Sequence, residues 1–330
     1  MNKNKILIIF LLVFFFISLS SVSAMDDSNK AILTNNNQVI VSEGSSIQSA
    51  IDNATVGSTI IVERGSYSED IVISKEISII GKNAILKSNN TAFTILSTAN
   101  NTSISGFNIF VSNGNGTGIV VNASNCKITD NKISGGNIGI FADAYISNSS
   151  GKIKIDIINN IMIVRNHISN IGEAGISIKA FNPIVSQNNI TNIINNKENG
   201  TSKAIYVNAI GLVSRDLKVI VANNYVSNIK SFNDSAYGLD IGANSILDSL
   251  VEFNVSGNII KNVISPVESY GMNVAIFALN NTLANINISN LNISYISTEN
   301  HENSSVTGLG ISITAIGQNE TSNTVIEMFI

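Results

Sequence analysis

Apolar and polar residues alternate in short segments along most of the chain, and this alternation predicts β-strands. Two examples are Gly139 to Ala144 and Lys203 to Asn208. In a strand, successive side chains point to opposite faces, so each segment offers one apolar and one polar face. Because such short strands are not stable alone, we expect them to stack about 4.8 Å apart around one shared core.

Two sequence phrases repeat down the chain and alternate with each other. The first reads apolar-x-x-Asn-x-apolar-Ser/Thr, and its asparagines are Asn131, Asn166, Asn188, Asn224 and, less closely, Asn258. Phe107 and Leu291 stand at the Asn position in weaker copies. The second phrase is Gly-apolar-x-apolar, and its copies start at Gly118, Gly139, Gly175, Gly238, Gly271 and Gly308, with Ala204 replacing Gly once. Spacings of roughly 20 to 37 residues are typical of solenoids.

The repeated Asn falls at a turn between strands in this arrangement. Asn tolerates the left-handed backbone that turns need, and stacked Asn side chains can hydrogen-bond from rung to rung. The irregular spacing indicates loops of different length, such as Asn195 to Ser202 and Glu299 to Ser305. We therefore predict an all-β fold, a single-stranded parallel β-helix of about eight to ten rungs, on the order of 45 Å long.

One short helix is predicted before the strands begin. Ser45 and Gln48 fit a capping box, and apolar residues follow at helical spacing from Ile47 to Ala54. Gly57 ends the segment. Because the first rung of a solenoid has an open apolar face, we expect this helix to cover it as an N-terminal cap.

The chain begins with the three parts of a secretory signal peptide. Lys3 and Lys5 form the positive region, Ile6 to Ile17 is an unbroken apolar run, and Val22 to Ala24 offers a small-residue cleavage site. We expect a secreted protein, extracellular or at the cell surface. No second apolar run has membrane-spanning length, so no span is expected in the mature chain.

The predicted organisation has three segments. Residues 1–24 form the signal peptide, 25–44 a polar lead-in and 45–330 the β-helix. Cys126 is the single cysteine, so an internal disulfide is excluded and we expect a buried, inert thiol. Packing and hydrogen-bond ladders must then provide the stability.

The composition narrows the range of partners. Only 13% of the residues are charged, and the formal net charge is −4, whereas a soluble globular protein has about 25% charged residues. Asn, Ser and Thr supply the remaining polar surface. Arginine occurs only at Arg64, Arg165 and Arg215, and no basic stripe is present. Binding of nucleic acid is therefore not expected.

Two stretches of the sequence resemble known families. Residues 45 to 81, SSIQSAIDNATVGSTIIVERGSYSEDIVISKEISIIG, resemble the N-terminal cap and first rung of pectin-lyase-like right-handed parallel β-helices. The chain as a whole resembles the adhesin-like surface proteins of methanogenic archaea, which have β-helix repeats behind a signal peptide. The resemblance implies a right-handed β-helix at the cell surface, and it is more specific for fold than for function.

The C-terminal end departs from the pattern of those longer archaeal proteins. The sequence stops at Thr324 to Ile330, within a strand, and no polar cap follows. We expect either a β-helix truncated at this end or an end-to-end contact with a partner through the last strand.

Signatures of catalysis are sparse in the sequence. Acidic residues are scattered singly, and the Asn-Thr-Asp, Asp-Asp, Gly-His-Gly and Arg-Ile-Lys signatures of polygalacturonases are absent. His167 and His301 have no His or Cys neighbour at metal-ligand spacing. The sequence therefore predicts no catalytic residue, no metal site, no cofactor and a protein that is not an enzyme.

A candidate ligand-binding face follows from stacking the Gly-apolar phrases. Their outward positions form two columns, Phe141, Ser177, Tyr206, Asp240 and Asn273 in one, and Asp143, Lys179 and Asn208 in the other. Aromatic rings beside amides and carboxylates suit sugars, which offer apolar ring faces and hydroxyls. We select Phe141, Asp143, Lys179, Tyr206, Asn208 and Asp240 as the candidate binding residues. The alternative is an ordinary polar surface, with Asp143 and Lys179 as a surface ion pair worth under about 1 kcal/mol.

About sixteen Asn-x-Ser/Thr sequons also predict a glycoprotein. The candidates in expected loops are Asn115, Asn199, Asn233, Asn303 and Asn319.

The leading functional hypothesis is a secreted adhesin-like protein that presents a glycosylated β-helix to cells or surface glycans. A polysaccharide lyase or hydrolase of the pectin-lyase-like fold is the first alternative, and a structural component of the cell envelope is the second.

Overall fold

The computed structural model describes residues 31–34, 37–143, 145–149, 152–212, 214–245, 249–279, 282–299, 304–316 and 325–329. Over these residues the chain winds through three parallel β-sheets and forms a single-stranded right-handed parallel β-helix. The predicted fold is confirmed. The signal peptide, His301, Asn303 and Asn319 lie outside the described residues.

Each sheet takes one strand from every turn of the chain. Sheet A contains, in spatial order, β1 (Ala31–Thr34), β2 (Gln38–Val41), β3 (Ser58–Val62), β6 (Ile77–Gly81), β9 (Ser103–Ser105), β12 (Lys127–Thr129), β17 (Met162–Val164), β20 (Ile184–Ser186), β23 (Leu217–Ala222), β26 (Leu250–Ser256), β29 (Leu283–Ser289) and β32 (Val325–Phe329).

Sheet B contains β4 (Gly65–Ser68), β7 (Ala84–Ser88), β10 (Asn108–Val111), β13 (Lys132–Gly135), β18 (His167–Ile171), β21 (Asn189–Asn195), β24 (Tyr225–Ser231), β27 (Ile259–Ser265) and β30 (Asn292–Thr298). Sheet C contains β5 (Ile71–Ile73), β8 (Thr91–Ile95), β11 (Thr117–Val121), β14 (Ile138–Ala142), β19 (Ala174–Ala180), β22 (Ser202–Ile210), β25 (Ala236–Ser245), β28 (Glu268–Leu279) and β31 (Ser305–Ile316).

The strands of sheets A, B and C follow one another in the chain, and each such set of three is one rung. Within the described residues, nine complete rungs run from β3 to β31, in agreement with the eight to ten predicted. Two pairs of strands are antiparallel instead, β1 with β2 and the hairpin of β15 (Tyr145–Ser149) and β16 (Lys152–Asp156), and Leu212 and Arg215 form an isolated antiparallel bridge. None of the described helices is long and apolar enough to cross a membrane.

The core consists of apolar side chains stacked in columns inside the rungs. One column on sheet A joins in-register residues that are at most 1% exposed, and it consists of Ile104, Ile128, Ile163, Val185, Val221, Val255 and Ile288. The alternation of apolar and polar positions explains this arrangement, because the period of two places every second side chain inside.

The repeated Asn residues form a buried ladder at the turn between sheets A and B. Asn166 illustrates the pattern. Its Nδ2 donates to the carbonyl of Ile128 at 2.8 Å and to Oδ1 of Asn188 at 3.1 Å, and its backbone N–H donates to the same Oδ1 at 2.9 Å. Phe107, at the Asn position of the preceding copy, donates its backbone N–H to Asn131 Oδ1 at 3.1 Å. The predicted rung-to-rung hydrogen bonds are therefore present.

The left-handed backbone at this turn belongs to the preceding residue and not to the repeated Asn. Positive φ angles occur at Asp130 (58°), Arg165 (57°), Gln187 (57°), Asn223 (56°) and Gly257 (66°). The repeated Asn instead points inward and satisfies backbone groups that would otherwise be buried without a partner. The predicted reason for Asn at this position was wrong in this respect.

The predicted helix is present as α1 (Ile47–Asn53), but its cap differs from the expectation. Ser46, and not Ser45, is the N-cap, with its Oγ accepting a hydrogen bond from Ser49 N at 3.1 Å. Gln48 pairs with both backbone groups of Val72. Glu69 from the following rung accepts the N–H groups of Ile47 and Gln48 at 2.8 and 3.0 Å. A carboxylate from more than twenty positions away, which no local motif reveals, thus completes the cap.

Candidate functional site

The outward face of sheet C brings the predicted ligand-binding residues together. Phe141, Ser177, Tyr206, Asp240 and Asn273 are register partners in five successive rungs, so they form the expected column. Lys179 and Asn208 are register partners in a second column, and Asp143 lies beside Lys179. The placement of both columns follows the prediction, whereas their role in binding stays a prediction.

The loop between β21 and β22 turns this face into a groove of about 480 Å³. Residues Asn195 to Thr201 form one side of the groove, and the outward side chains of β14, β19 and β22 form its floor. Two side chains fix the loop. Asn195 Nδ2 donates to the carbonyl of Thr201 at 2.9 Å, and Thr201 Oγ1 donates to Asp234 Oδ2 at 2.9 Å. The groove is therefore built by hydrogen bonds to the next rung as well as by the sheet.

Asp143 and Lys179 form an ion pair at one end of the groove. Lys179 Nζ lies 2.9 Å from Asp143 Oδ2, and the two side chains are 41% and 34% exposed. The hydrogen bond to Asp143 raises the pKa of Lys179 above the ordinary lysine value, burial opposes this shift, and the nearby Tyr206 adds to it. Lys179 and Tyr206 both line the groove.

A second ion pair lies deeper, on the other side of Tyr206. Lys203 Nζ is 2.6 Å from Asp240 Oδ2, and these side chains are only 29% and 16% exposed. Asn273 Nδ2 donates to the other oxygen, Asp240 Oδ1, at 3.0 Å. The same ammonium lies 4.3 Å from the centroid of the Tyr206 ring, within the range of a cation–π contact. Lys203 therefore contacts the Tyr206 ring, and Lys179 lines the same groove.

A chain of hydrogen bonds links the loop to residues that precede β14 and β19. Lys197 Nζ donates to Asn137 Oδ1 at 2.9 Å, and Asn137 Nδ2 donates to Glu173 Oε2 at 2.8 Å. Lys197 is a loop residue, whereas Asn137 and Glu173 precede β14 and β19. Three lysines and several carboxylates therefore line one groove, although they are up to about 60 residues apart in sequence.

Two stacked tyrosines extend the face beyond the groove. The rings of Tyr237 and Tyr270 are 4.9 Å apart between centroids and almost parallel, with 2° between their planes. Burial raises the pKa of Tyr237 to about 12, and the negative charges of Glu268 and Asp240 add to the shift. Lys203 lies 5.2 Å from the centroid of the Tyr237 ring.

The sequence did not point to Glu173, Lys197, Lys203 or Tyr237. Glu173 and Lys197 lie in turns outside the repeated phrases. Lys203 and Tyr237 sit one position before the Gly or Ala of a phrase, where the pattern shows only an outward position. The register of Lys203 and Tyr237 could be assigned from the sequence once the repeated phrases were aligned. Their convergence on Tyr206 and Asp240 depends on side-chain reach between rungs, which the sequence does not give.

The other predicted residues have different surroundings. Asn208 lies further along β22, where its Oδ1 accepts a hydrogen bond from Asn244 Nδ2 at 2.7 Å. Among the sequons, Asn115, Asn199 and Asn233 are exposed, and Asn199 lines the groove. Asn233 Nδ2 donates to loop carbonyls. In the part of the chain that the structure describes, no group of three His, Cys, Asp or Glu side chains is placed to hold a metal ion.

Comparison with known proteins finds likeness in structure and not in sequence. No family model and no curated protein sequence matches the chain. A 1,3-α-1,4-β-D-galactose-4-sulfate-3,6-anhydro-D-galactose-2-sulfate 4 galactohydrolase aligns with 92% of this chain and 96% of its own, at 10% identity and a TM-score of 0.38. The periplasmic alginate epimerase AlgG aligns with 84% of this chain and 85% of its own, at 10% identity and a TM-score of 0.28. The A-module of the Azotobacter vinelandii mannuronan C-5 epimerase AlgE6 aligns with 85% and 93%, at 12% identity and a TM-score of 0.24.

These neighbours correct one expectation from the sequence. The chain was predicted not to be an enzyme, yet the structures to which it is similar include a hydrolase and two epimerases. At this identity the likeness extends to the fold alone. The prediction was wrong because it treated the lack of a local signature as the lack of a site. A β-helix assembles its surface from residues one rung apart in space and tens of residues apart in sequence.

Proposed function

We propose that the protein is a polysaccharide-modifying enzyme that acts on an acidic polysaccharide in the groove of sheet C. The observation that supports this proposal is the groove itself, in which Lys203 Nζ lies 4.3 Å from the centroid of the Tyr206 ring and Lys179 lines the same floor. A phenol can give or take a proton, and two neighbouring ammonium groups can neutralise a carboxylate and the charge that develops next to it.

The substrate class follows from the side chains of the groove. An ammonium group has three donors, and Lys179 and Lys203 are 41% and 29% exposed. Both can therefore share a hydrogen bond with a sugar carboxylate while they hold their aspartate partners. Phe141 and Tyr206 are two rungs apart on the same column, about 9.6 Å. Their rings offer apolar surfaces to successive sugar units.

The reaction that fits this arrangement is removal of the proton next to a uronate carboxylate. Tyr206 Oη, ionised to the phenolate, would take this proton, so that an O–H bond forms as the C–H bond breaks. The electron pair of the C–H bond would move into the carboxylate, whose added charge Lys179 and Lys203 would stabilise. Return of a proton from water to the opposite face of the same carbon restores a C–H bond and gives the epimer. Departure of the glycosidic oxygen from the adjacent carbon, with transfer of the proton from Tyr206 Oη to that oxygen, instead breaks the chain and leaves an unsaturated sugar.

Hydrolysis by a pair of carboxyl groups fits less well. Asp143 follows β14, whereas Glu173 precedes β19, so their backbones are about 20 Å apart along the strands. Asp240 lies three rungs beyond Asp143, about 14 Å away. Glycosidases need carboxyl groups roughly 5 to 10 Å apart. Asp143 and Asp240 also accept hydrogen bonds from lysines, which is not the role of a general acid.

The decisive assay measures three products from each of five polymers. Polygalacturonate, pectin, alginate, a sulfated galactan and mucin would be incubated with the full chain. Unsaturated uronate reports elimination, the ratio of uronate epimers by NMR reports epimerisation, and new reducing ends without unsaturation report hydrolysis. We expect one of the first two products from a uronate polymer. Products from none of the polymers, or hydrolysis alone, would contradict the proposed reaction.

Substitution of two tyrosines provides the matched test. Tyr206→Phe removes only the hydroxyl, and we expect turnover to fall at least about 100-fold because proton transfer of this kind contributes 10²–10⁴. Tyr225→Phe is the control, since Tyr225 is 37% exposed and lies on sheet B. Full activity of Tyr206→Phe would remove the residue from the mechanism.

Attachment to glycans through the same groove is the second candidate role, and it retains the adhesin-like hypothesis in part. The aromatic rings of Phe141 and Tyr206 support it, because they would hold a polymer between turnovers. Export through residues 1–24 and glycosylation at exposed sequons such as Asn115 and Asn199 belong to the same proposal. The intact mass of protein secreted by its native cells tests both, since cleavage after Ala24 and added glycans each change the mass.

A further inference from the structure

A second groove, of about 800 Å³, lies on a different wall of the β-helix. It is formed by the ends of β7, β10 and β13 on sheet B and by the turns that lead from these strands to sheet C. These belong to the second, third and fourth rungs, whereas the groove around Tyr206 is centred on the fifth and sixth. The mechanism proposed above uses none of its residues.

A single aromatic ring is the central apolar element of this groove. Phe110 occupies an outward position of β10 and is 49% exposed, while its neighbours Ile109 and Val111 are buried. Its register partners are Lys87 in the preceding rung and Ser134 in the following one. An exposed ring thus lies between an ammonium group and a hydroxyl at steps of about 4.8 Å.

The polar wall of the groove is held in place by its own hydrogen bonds. Ser112 Oγ donates to Asn89 Oδ1 at 2.9 Å. Ser88 Oγ donates to Asp70 Oδ1. Glu69 is fixed by the N–H groups at the start of α1. The donors and acceptors around Phe110 are therefore preorganised, which lowers the ordering cost of binding.

We propose that this groove is a second, non-catalytic binding site for a segment of the same polysaccharide. A sugar ring has an apolar face for Phe110 and an edge of hydroxyls for Ser112, Ser134 and Asn89, whereas a lipid or an apolar peptide would need more than one exposed apolar side chain. Residues of the turns from sheet B to sheet C line both grooves, so a polymer that runs along this edge would reach both. The identity of the ligand rests on the proposed function, but the site itself rests on the geometry around Phe110.

Because one polymer would occupy both grooves, we expect the affinity of the protein for the ligand to increase with the length of the ligand. A polymer that occupies both grooves gains from effective concentration, whereas a trisaccharide occupies one groove at a time. Loss of the Phe110 groove should therefore weaken binding of the polymer and leave turnover of a short substrate unchanged.

The test compares Phe110→Ala with Phe232→Ala. Phe232 is 46% exposed and lies outside both grooves, so it controls for the loss of an exposed ring. Binding of each variant to immobilised polygalacturonate and alginate would be measured, together with turnover of the corresponding trisaccharides. We expect Phe110→Ala to lose at least about tenfold in polymer affinity, with unchanged turnover, and Phe232→Ala to stay within twofold of the wild type.

Several results would overturn the proposal. They are unchanged polymer affinity in Phe110→Ala, an equal loss in Phe232→Ala, or no retention of the wild type on either polymer. Lys87→Ala provides a second variant if Phe110→Ala fails to fold by circular dichroism, and we expect its loss to have the same dependence on polymer length. Tyr206→Phe separates the two proposals, because it should lose turnover and keep polymer affinity.

Discussion

Two ladders of asparagine run along this β-helix, and they differ in burial. The first consists of Asn131, Asn166, Asn188, Asn224 and Asn258 at the turn from sheet A to sheet B, and every member is at most 1% exposed. The second consists of Asn170, Asn192, Asn228 and Asn262 within the strands of sheet B, and its side-chain hydrogen bonds are exposed to solvent. In both ladders each side chain hydrogen-bonds to the equivalent side chain of the next rung.

The same repeated residue therefore has two different structural roles in the two ladders. In the buried ladder, the preceding residue takes the left-handed backbone, as Gln187 does before Asn188, and the Asn side chain serves the backbone groups. In the exposed ladder, Asn192 itself has a φ of 58°. There the conformational tolerance of Asn matters, and water can replace the side-chain hydrogen bonds.

The largest expected effect of burial is on the reactivity of the Cys126 thiol, which lies directly before the strand that leads into the buried ladder. Cys126 is fully buried just before β12, and burial raises its pKa to about 12. An ordinary cysteine has a pKa of about 8.5, so at pH 8 the folded protein should contain about a thousandfold less thiolate than the unfolded chain. We expect a thiol reagent at pH 8 to react at least that much more slowly with native than with denatured protein. Equal rates would show that this edge is open.

The second effect is on stability. Asn188→Ala removes the bonds from Nδ2 to Ile163 O and to Asn224 Oδ1, and it leaves the backbone N–H of Asn166 without its acceptor. Because each unsatisfied buried group costs about 1–3 kcal/mol, we expect the free energy of unfolding to fall by about 2–4 kcal/mol. Denaturant titration measures this change. A loss below about 1 kcal/mol would mean that water enters the turn and replaces the amide.

The smallest effect is expected in the exposed ladder, four residues along the chain. Asn192→Gly keeps the positive φ accessible and loses only exposed hydrogen bonds, so the change should stay within about 0.5 kcal/mol. Asn192→Ala should cost about 1–2 kcal/mol because it forces a Cβ into the left-handed region. The same titration distinguishes the two. If glycine destabilised as much as alanine, the exposed hydrogen bonds would matter more than the backbone conformation.

Much of the fold could be predicted from the sequence because its cause is local and periodic. The alternation in segments such as Lys203 to Asn208 fixes which face is buried, and the repeated Asn and Gly fix where rungs align. Gly139 shows why the second phrase needs glycine, since a Cβ there would lie 2.5 Å from the carbonyl oxygen of Gly175. The cap on α1 could not be predicted, because Glu69 reaches it from the next rung.

The candidate site could be predicted only in part. The columns containing Phe141, Tyr206 and Asp240 followed from the stacking of one phrase, because register is shared along a sheet. The contact of Lys203 with the Tyr206 ring did not follow, since the Lys203 side chain reaches across to Asp240 in the next rung. Long side chains have many rotamers, and only their packing selects one.

The β-helix, its approximate number of rungs and the outward columns of sheet C could thus be inferred from the order of residues alone. These depend on a period of two along each strand and on a repeat from rung to rung, both of which are written in the order of residues. The tertiary structure was needed to show that Asn195 to Thr201 lines a groove on sheet C, that Lys197 donates a hydrogen bond to Asn137, and that Phe110 lies in a second groove. Loops and long side chains bring together residues from different rungs, and these contacts do not follow the periodicity of the sequence.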